Sequence, residues 1–263
     1  MRFFKMSGAG NDFVLVEPKG PKSSLAGLAR RLCDRKRGVG ADGLLAVERR
    51  GLRLSYFNAD GSEAFCGNGS RCAAWWMHAQ GLTRGRRDFE FATSEGPLRA
   101  KITGRETAAI KMPEPHSIRM GLKLKAAGRS LVAHRLNTGV PHAVVEVEDL
   151  DSVPVFELGR ALRRHEAFAP AGANADFVRY RARLLFVRTY ERGVEAETLA
   201  CGTGVVACAL AGFLLGKVRS PARVRVRGGS TMTVSFKPAG GGSFKDVWLE
   251  GPAQLVFTGE IPL

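Results

Sequence analysis

The chain has 263 residues, 44% of them hydrophobic, which suits one large or two medium globular domains, and it contains no low-complexity tract. No window approaches the roughly 18 consecutive apolar residues of a membrane span, and the opening MRFFKMSGAGNDF lacks the apolar core of a secretory leader, so a cytoplasmic protein with no membrane partner is expected. The formal charge of +15 would suit a nucleic-acid binder. Its Lys and Arg are nevertheless scattered through RRLCDRKR, RGRRDFE, GRALRRHE and RYRARLLFVR with few aromatics between them, so a generally basic surface and no nucleic-acid partner are expected.

In the first half, DFVLVE, LLAVE, LRLSYFN, LRAKIT and AAIKM are short β-branched or alternating runs bounded by turn residues, and they predict strands. LAGLARRLCDRK and GSRCAAWWMHAQGL have helical spacing, the second stopping at Gly81. The second half repeats the mixture, with HAVVEVE, RLLFVRTYE, RVRV, MTVSF and VWLE as strands and LGRALRRH and GVVACALAGFLLG as helices. KPAGGGSFKD reads as a hairpin turn, and AQLVFTGEIPL either completes the second half or crosses back to the first.

The halves also align. Placing Cys66 on Cys201 lays CGNG on CGTG, Ala74 on Ala209 and Gly81 on Gly216. YFNADG then falls near TYERG, GVGADGLL on GANADFVR, and GAGNDFVLVE on GVPHAVVEVE, in one order and at nearly one spacing. The expected fold class is α+β, with two pseudo-symmetric homologous domains at 1–118 and 119–263. Each would be a strand-rich layer curled around a central helix, with the active site in the cleft between them and the last ~10 residues free to return to the first domain.

Five cysteines, at 33, 66, 72, 201 and 208, form no Cys-x-x-Cys pair, and the five histidines are scattered. No metal site and no disulfide framework is expected. Cys72 and Cys208 lie within apolar helical runs and read as core, and Cys33 lacks a glycine context. Cys66 and Cys201 differ, because each precedes a Gly-x-Gly and then an apolar helix. That places a thiol at a helix N-terminus, where unpaired N–H groups and the helix dipole favour a thiolate and can receive a carboxylate. The glycines allow close backbone approach to a ligand, and Asn68 and Thr203 can cap the helix or touch the carboxylate. One such motif is most simply a buried cysteine beside a turn; two matched copies suit cofactor-free inversion of a carbon centre, one thiolate taking a proton while the opposite thiol delivers one. Metal ligation and disulfide redox chemistry are the competing readings of a thiol pair.

KMSGAGNDFVLVE, RGVGADGLL, FNADGSEAFCGNGSRC, ANADFV and YERGVEAETLACGTG occur in the order found in the diaminopimelate epimerase family, which the chain resembles from residue 5 to about 210. The resemblance implies epimerisation of LL- and meso-diaminopimelate in lysine and peptidoglycan precursor synthesis, no cofactor, a small-molecule substrate and a homodimer. It implies Cys66 and Cys201 as the acid–base pair, with His142 and Glu191 beside them. It further implies substrate contacts from Asn11, Asn58, Asn174, Glu191 and Arg192, with Gly67, Asn68, Gly202 and Thr203 around the reacting carboxylate. Three features depart from the pattern: Gly43 stands where some members carry glutamine; Val140 stands where asparagine often precedes the Pro-His pair, with Asn137 three residues earlier as a substitute; and NADGSEAFC is one residue shorter than is usual, GVEAETLAC one longer than one common form. The rivals are a related racemase or isomerase of another amino acid, and a basic nucleic-acid-binding protein.

Overall fold

The computed structural model describes residues 1–262, which divide into two compact units. The first comprises Met1–Lys111 and the segment from Glu250 onward; the second is Met112–Leu249. In the first unit the elements are β1 (Arg2–Gly8), β2 (Asn11–Val16), α1 (Leu25–Cys33), β3 (Gly43–Glu48), β4 (Arg53–Asn58), β5 (Glu63–Ala64), α2 (Gly67–Ala79), β6 (Asp88–Thr93), β7 (Gly96–Gly104) and β8 (Thr107–Lys111). The second contains β9 (His116–Ala126), β10 (Arg129–Asn137), β11 (Pro141–Glu146), α3 (Val155–Arg163), β12 (Asn174–Arg181), β13 (Leu184–Glu191), β14 (Ala196–Thr198), α4 (Gly202–Leu214), β15 (Ala222–Val226) and β16 (Thr231–Pro238). β17 (Phe244–Pro252) runs across the division, and β18 (Gln254–Glu260) belongs to the first unit. A boundary at 118 falls inside β9, which pairs with β10 from His116 to Ala126, whereas the division lies at the end of β8.

The two units are built to one plan. In the first, strands pair in the order β18-β1-β2-β3-β4-β6-β7-β8, parallel at β2/β3 and β4/β6 and antiparallel elsewhere. In the second the order is β9-β10-β11-β12-β13-β15-β16, parallel at β11/β12 and β13/β15. Short β5 and β14 pair with β4 and β13 at matching places. The C-terminal β18 thus fills in the first unit the position that β9 fills in the second. Close packing seats it, for a Cβ on Gly259 would stand 2.6 Å from the Phe3 ring, and Phe257 meets Phe3 edge-on with centroids 6.0 Å apart.

Periodicity explains which helix goes where. In α1 the buried Leu25, Ala29, Leu32 and Cys33 form one stripe, which packs on β2, β3 and β4. α3 buries Val155, Leu158, Gly159 and Leu162 against β9, β12, β13 and β14. α2 and α4 are instead buried on nearly every side, enclosed by the sheet. α2 touches β1–β4, β7 and β8, and α4 touches β10–β13, β15 and β16. Each fully buried Leu, Val or Trp on these helices contributes about 1.5–3 kcal/mol through loss of wet apolar surface.

Several strands were not legible as such. β1, β6, β9, β10 and β12 all lie outside the runs that predicted strands. β12 starts with Asn-Ala-Asp, a turn-like trio, yet its first five residues are buried because it lies between β11 and β13. β15 alternates in the simpler way, Ala222, Val224 and Val226 inward and Arg223 and Arg225 outward, which puts part of the chain's basic charge on the surface.

Candidate active site

Cys66 is the N-cap of α2, in extended conformation, and its Sγ accepts the backbone N–H of Gly69 at 3.4 Å. Around it the polar side chains form a chain. Arg71 Nη2 donates to Asn68 Oδ1 at 2.7 Å, Asn68 Nδ2 donates to Asn11 Oδ1 at 2.7 Å, and Asn11 Nδ2 donates to Asp42 Oδ2 at 3.0 Å. Arg35 closes the far end, donating to Asp42 and Asp12 at 2.8 Å each. Asn58, at the end of β4, is tied instead into its own turn: its Oδ1 accepts from Tyr56 Oη and its Nδ2 donates to Ser62 Oγ, both at 2.9 Å.

Cys201 caps α4 in nearly the same backbone conformation, φ −119° and ψ 110°. Its Sγ lies 3.5 Å from Thr203 Oγ1 and 3.9 Å from Asn174 Nδ2. Asn174 Oδ1 accepts the Arg192 backbone N–H at 2.7 Å, which binds the start of β12 to the turn after β13. Glu191 accepts from Thr198 Oγ1 at 3.0 Å, and Arg192 Nη1 donates to the carbonyl of Ala171 at 3.0 Å. His142 stands opposite Asn174 in the β11/β12 register, and its Nδ1 lies 2.6 Å from Asp176 Oδ2, both side chains fully buried. Thr189 Oγ1 donates to the other Asp176 oxygen at 2.7 Å. A carboxylate bonded to Nδ1 fixes the imidazole's orientation and leaves Nε2 to face other chemistry; that atom is buried without a partner among the described residues.

The predicted residues therefore gather in two groups. Asn11, Asn58, Cys66, Gly67 and Asn68 lie in the first unit, and His142, Asn174, Glu191, Arg192, Cys201, Gly202 and Thr203 in the second. Asp42 and Asp176 carry the hydrogen bonds that orient Asn11 and His142, and neither was anticipated. The signal was available, because laying GVGADGLL on GANADFVR puts Asp42 on Asp176. Asn137, considered as a stand-in for the residue before Pro141, accepts the Gly139 N–H at 3.0 Å within the β10–β11 turn.

One expectation needs correcting, and another gains a second cause. The helix N-terminus was expected to lower the thiols, but at Cys201 burial pushes the thiol well above its ordinary value, and the Glu191 and Asp176 carboxylates add to the rise. Desolvation disfavours the thiolate here more strongly than a helix end favours it. Glu191 is itself raised by burial, against the pull of Thr198 and His142. The motif glycines also have a second reason. A Cβ on Gly204 would come 2.3 Å from Asp176 Oδ1 and one on Gly69 2.8 Å from Leu45 Cδ2, whereas Gly67 meets nothing nearer than 3.4 Å. Packing thus demands the second glycine of each motif, before any ligand is considered. Gly43 is explained in the same way, since its Cβ would lie 2.4 Å from the Tyr56 ring.

The other thiols are inert core groups. Burial pushes Cys33 and Cys72 up to about 12 and Cys208 well above the usual range. Among the described residues no group of three His, Cys, Asp or Glu side chains is placed to hold a metal ion, and no helix is long and apolar enough to cross a membrane.

Comparison with known proteins bears on the chemistry. The family model described as Diaminopimelate epimerase matches residues 3–118 and 135–256. A diaminopimelate epimerase of Chlorobaculum tepidum is 40% identical over 98% of this chain and 100% of its own. One of Aquifex aeolicus is 38% identical over 99% and 98% respectively. Among solved structures, a phenazine biosynthesis protein of the PhzF family from Bacillus anthracis superposes with a TM-score of 0.78 over 100% of this chain and 99% of its own, at 16% identity. A hydroxyproline epimerase from Agrobacterium vitis does so with 0.65 over 98% and 91%, also at 16%. At that identity these two likenesses speak for the fold alone.

Proposed function

The chain belongs to the diaminopimelate epimerase family, and from that premise we propose that this isomerase interconverts LL- and meso-2,6-diaminopimelate by two-base proton transfer between Cys66 and Cys201. The observation that carries the reading is the duplication itself: two helices of equal length, each capped by a cysteine and opened by Gly-x-Gly. One thiolate takes the α-proton, the α-carboxylate gathers the developing negative charge, and the other thiol returns a proton to the opposite face of the carbon. The sulfurs have then exchanged roles, which suits a reversible reaction between two stereoisomers. Backbone N–H groups at the starts of α2 and α4, with Asn68 and Thr203, hold that carboxylate.

Asn11, Asn58, Asn174 and Arg192 grip the amine and carboxylate at the far end of the substrate, Arg192 through its planar fork. His142 and Glu191 bias the protonation of the sulfurs. Cysteine chemistry of this kind requires no metal or cofactor, and a cytoplasmic homodimer without a nucleic-acid partner completes the reading. The test is incubation with LL-diaminopimelate in deuterated water without added cofactor. Meso product carrying α-deuterium is expected, with a fall of about a thousandfold or more in Cys66→Ala and in Cys201→Ala. Undiminished turnover in either variant would overturn the two-base mechanism.

A further inference from the structure

Arg71, the fifth residue of α2, is fully buried, and its guanidinium lies against the backbone of Gly251, where an added Cβ would stand 3.1 Å from Nε. Nη2 bonds to Asn68, while among the described residues Nε and Nη1 meet no acceptor and no carboxylate pairs with the side chain. A buried guanidinium so placed costs several kcal/mol relative to an apolar side chain of its size, so stability alone does not account for it. The position aligned with it in α4 is Val206.

What the arginine does is visible in the hydrogen bonds. It can only donate, so Asn68 must turn Oδ1 toward it and Nδ2 toward Asn11. Asn11 must then turn Nδ2 to the Asp42 carboxylate, which can only accept. A cation at one end and an anion at the other leave each amide one orientation.

We propose that Arg71 is a positioning residue of the first cysteine's site, locking Asn68 and Asn11 in a single hydrogen-bonding sense so that both amides meet the substrate in one fixed orientation. This rests on Cys66 being one of the acid–base pair.

The decisive experiment is steady-state kinetics of Arg71→Lys and Arg71→Met beside urea titration of the whole protein. Arg71→Lys should raise KM about tenfold at close to wild-type stability, because an ammonium keeps the charge but does not reproduce the fork that orients Asn68. Arg71→Met should raise KM at least as much. A folded Arg71→Lys protein with an unchanged KM, or one whose kcat falls while KM stays, would sink the proposal. If Arg71→Met does not fold, the lysine variant still decides. Absence of epimerase activity in the wild-type protein would overturn the functional reading instead.

Discussion

Helices α2 and α4 each span 13 residues, begin just after a cysteine N-cap, and run enclosed by the strands of their own unit. Their polar surroundings have diverged. At the first, amides link a buried arginine to a carboxylate, Asn68 and Asn11 lying between Arg71 and Asp42. At the second, the Glu191 and Asp176 carboxyl groups act on a buried thiol, and Asp176 holds His142. Duplication supplied matched backbones and a matched aspartate, Asp42 and Asp176, and the residues at positions 11 and 142 and at 71 and 206 made the two sites electrically different. An enzyme that needs one sulfur as base and the other as acid gains from that inequality, since two identical sites would compete for the same proton state.

The largest effect is expected where the difference is most concentrated. Asp176→Asn leaves His142 without the carboxylate that orients it and should lower kcat by about a hundredfold while costing about 3 kcal/mol of stability. Steady-state kinetics and urea titration measure both, and an unchanged kcat would show that His142 needs no fixed orientation. Next come the glycines. Gly204→Ala should destabilise by about 2–3 kcal/mol because Asp176 is itself held by two hydrogen bonds, Gly69→Ala by about 1 because Leu45 can turn aside, and Gly67→Ala by less. The reverse order in denaturant midpoints would show that ligand approach, not packing, demands these residues.

A smaller effect separates the units by pH. Burial alone would raise the Asp12 carboxyl, but hydrogen bonds from Arg35 and Lys5 outweigh it and hold the group at about 2. Because the folded value lies below the unfolded one, this stability is present above about pH 4 and is lost as pH falls toward 2. After allowance for partial exposure it amounts to about 1–2 kcal/mol, and Asp12→Asn should flatten that part of the acid-unfolding curve. The smallest shift expected is at Glu191. Removing its charge in Glu191→Gln should lower the alkylation midpoint of Cys201 by about one unit and leave Cys66 where it is. A matching movement at Cys66 would mean that the two sulfurs titrate as one coupled group.

How far these features were legible varies with the kind of signal. The two CGxG motifs, their helices and the duplication could be read directly, since a run of apolar residues after glycine announces an enclosed helix and a repeated order announces a repeated fold. β12 could not, because Asn174 and Asp176 look like turn residues until β11 and β13 flank them. Arg71 sat unnoticed within the first motif, since a lone arginine on a helix ordinarily faces water. β18 was left between two destinations, as a strand's own pattern does not say which edge it joins.

From sequence alone came the α+β class, the doubled plan, the thiols at two helix starts and the family. Those depend on local periodicity, on spacing and on resemblance, which a linear chain displays without folding. Only the tertiary structure decided that Asp176 holds His142, that Arg71 is buried against Gly251, and that Cys201 is raised rather than lowered. Burial and hydrogen-bond geometry are properties of neighbours distant in the chain, and desolvation, the strongest influence on the Cys201 thiol, does not exist until the chain has folded around it.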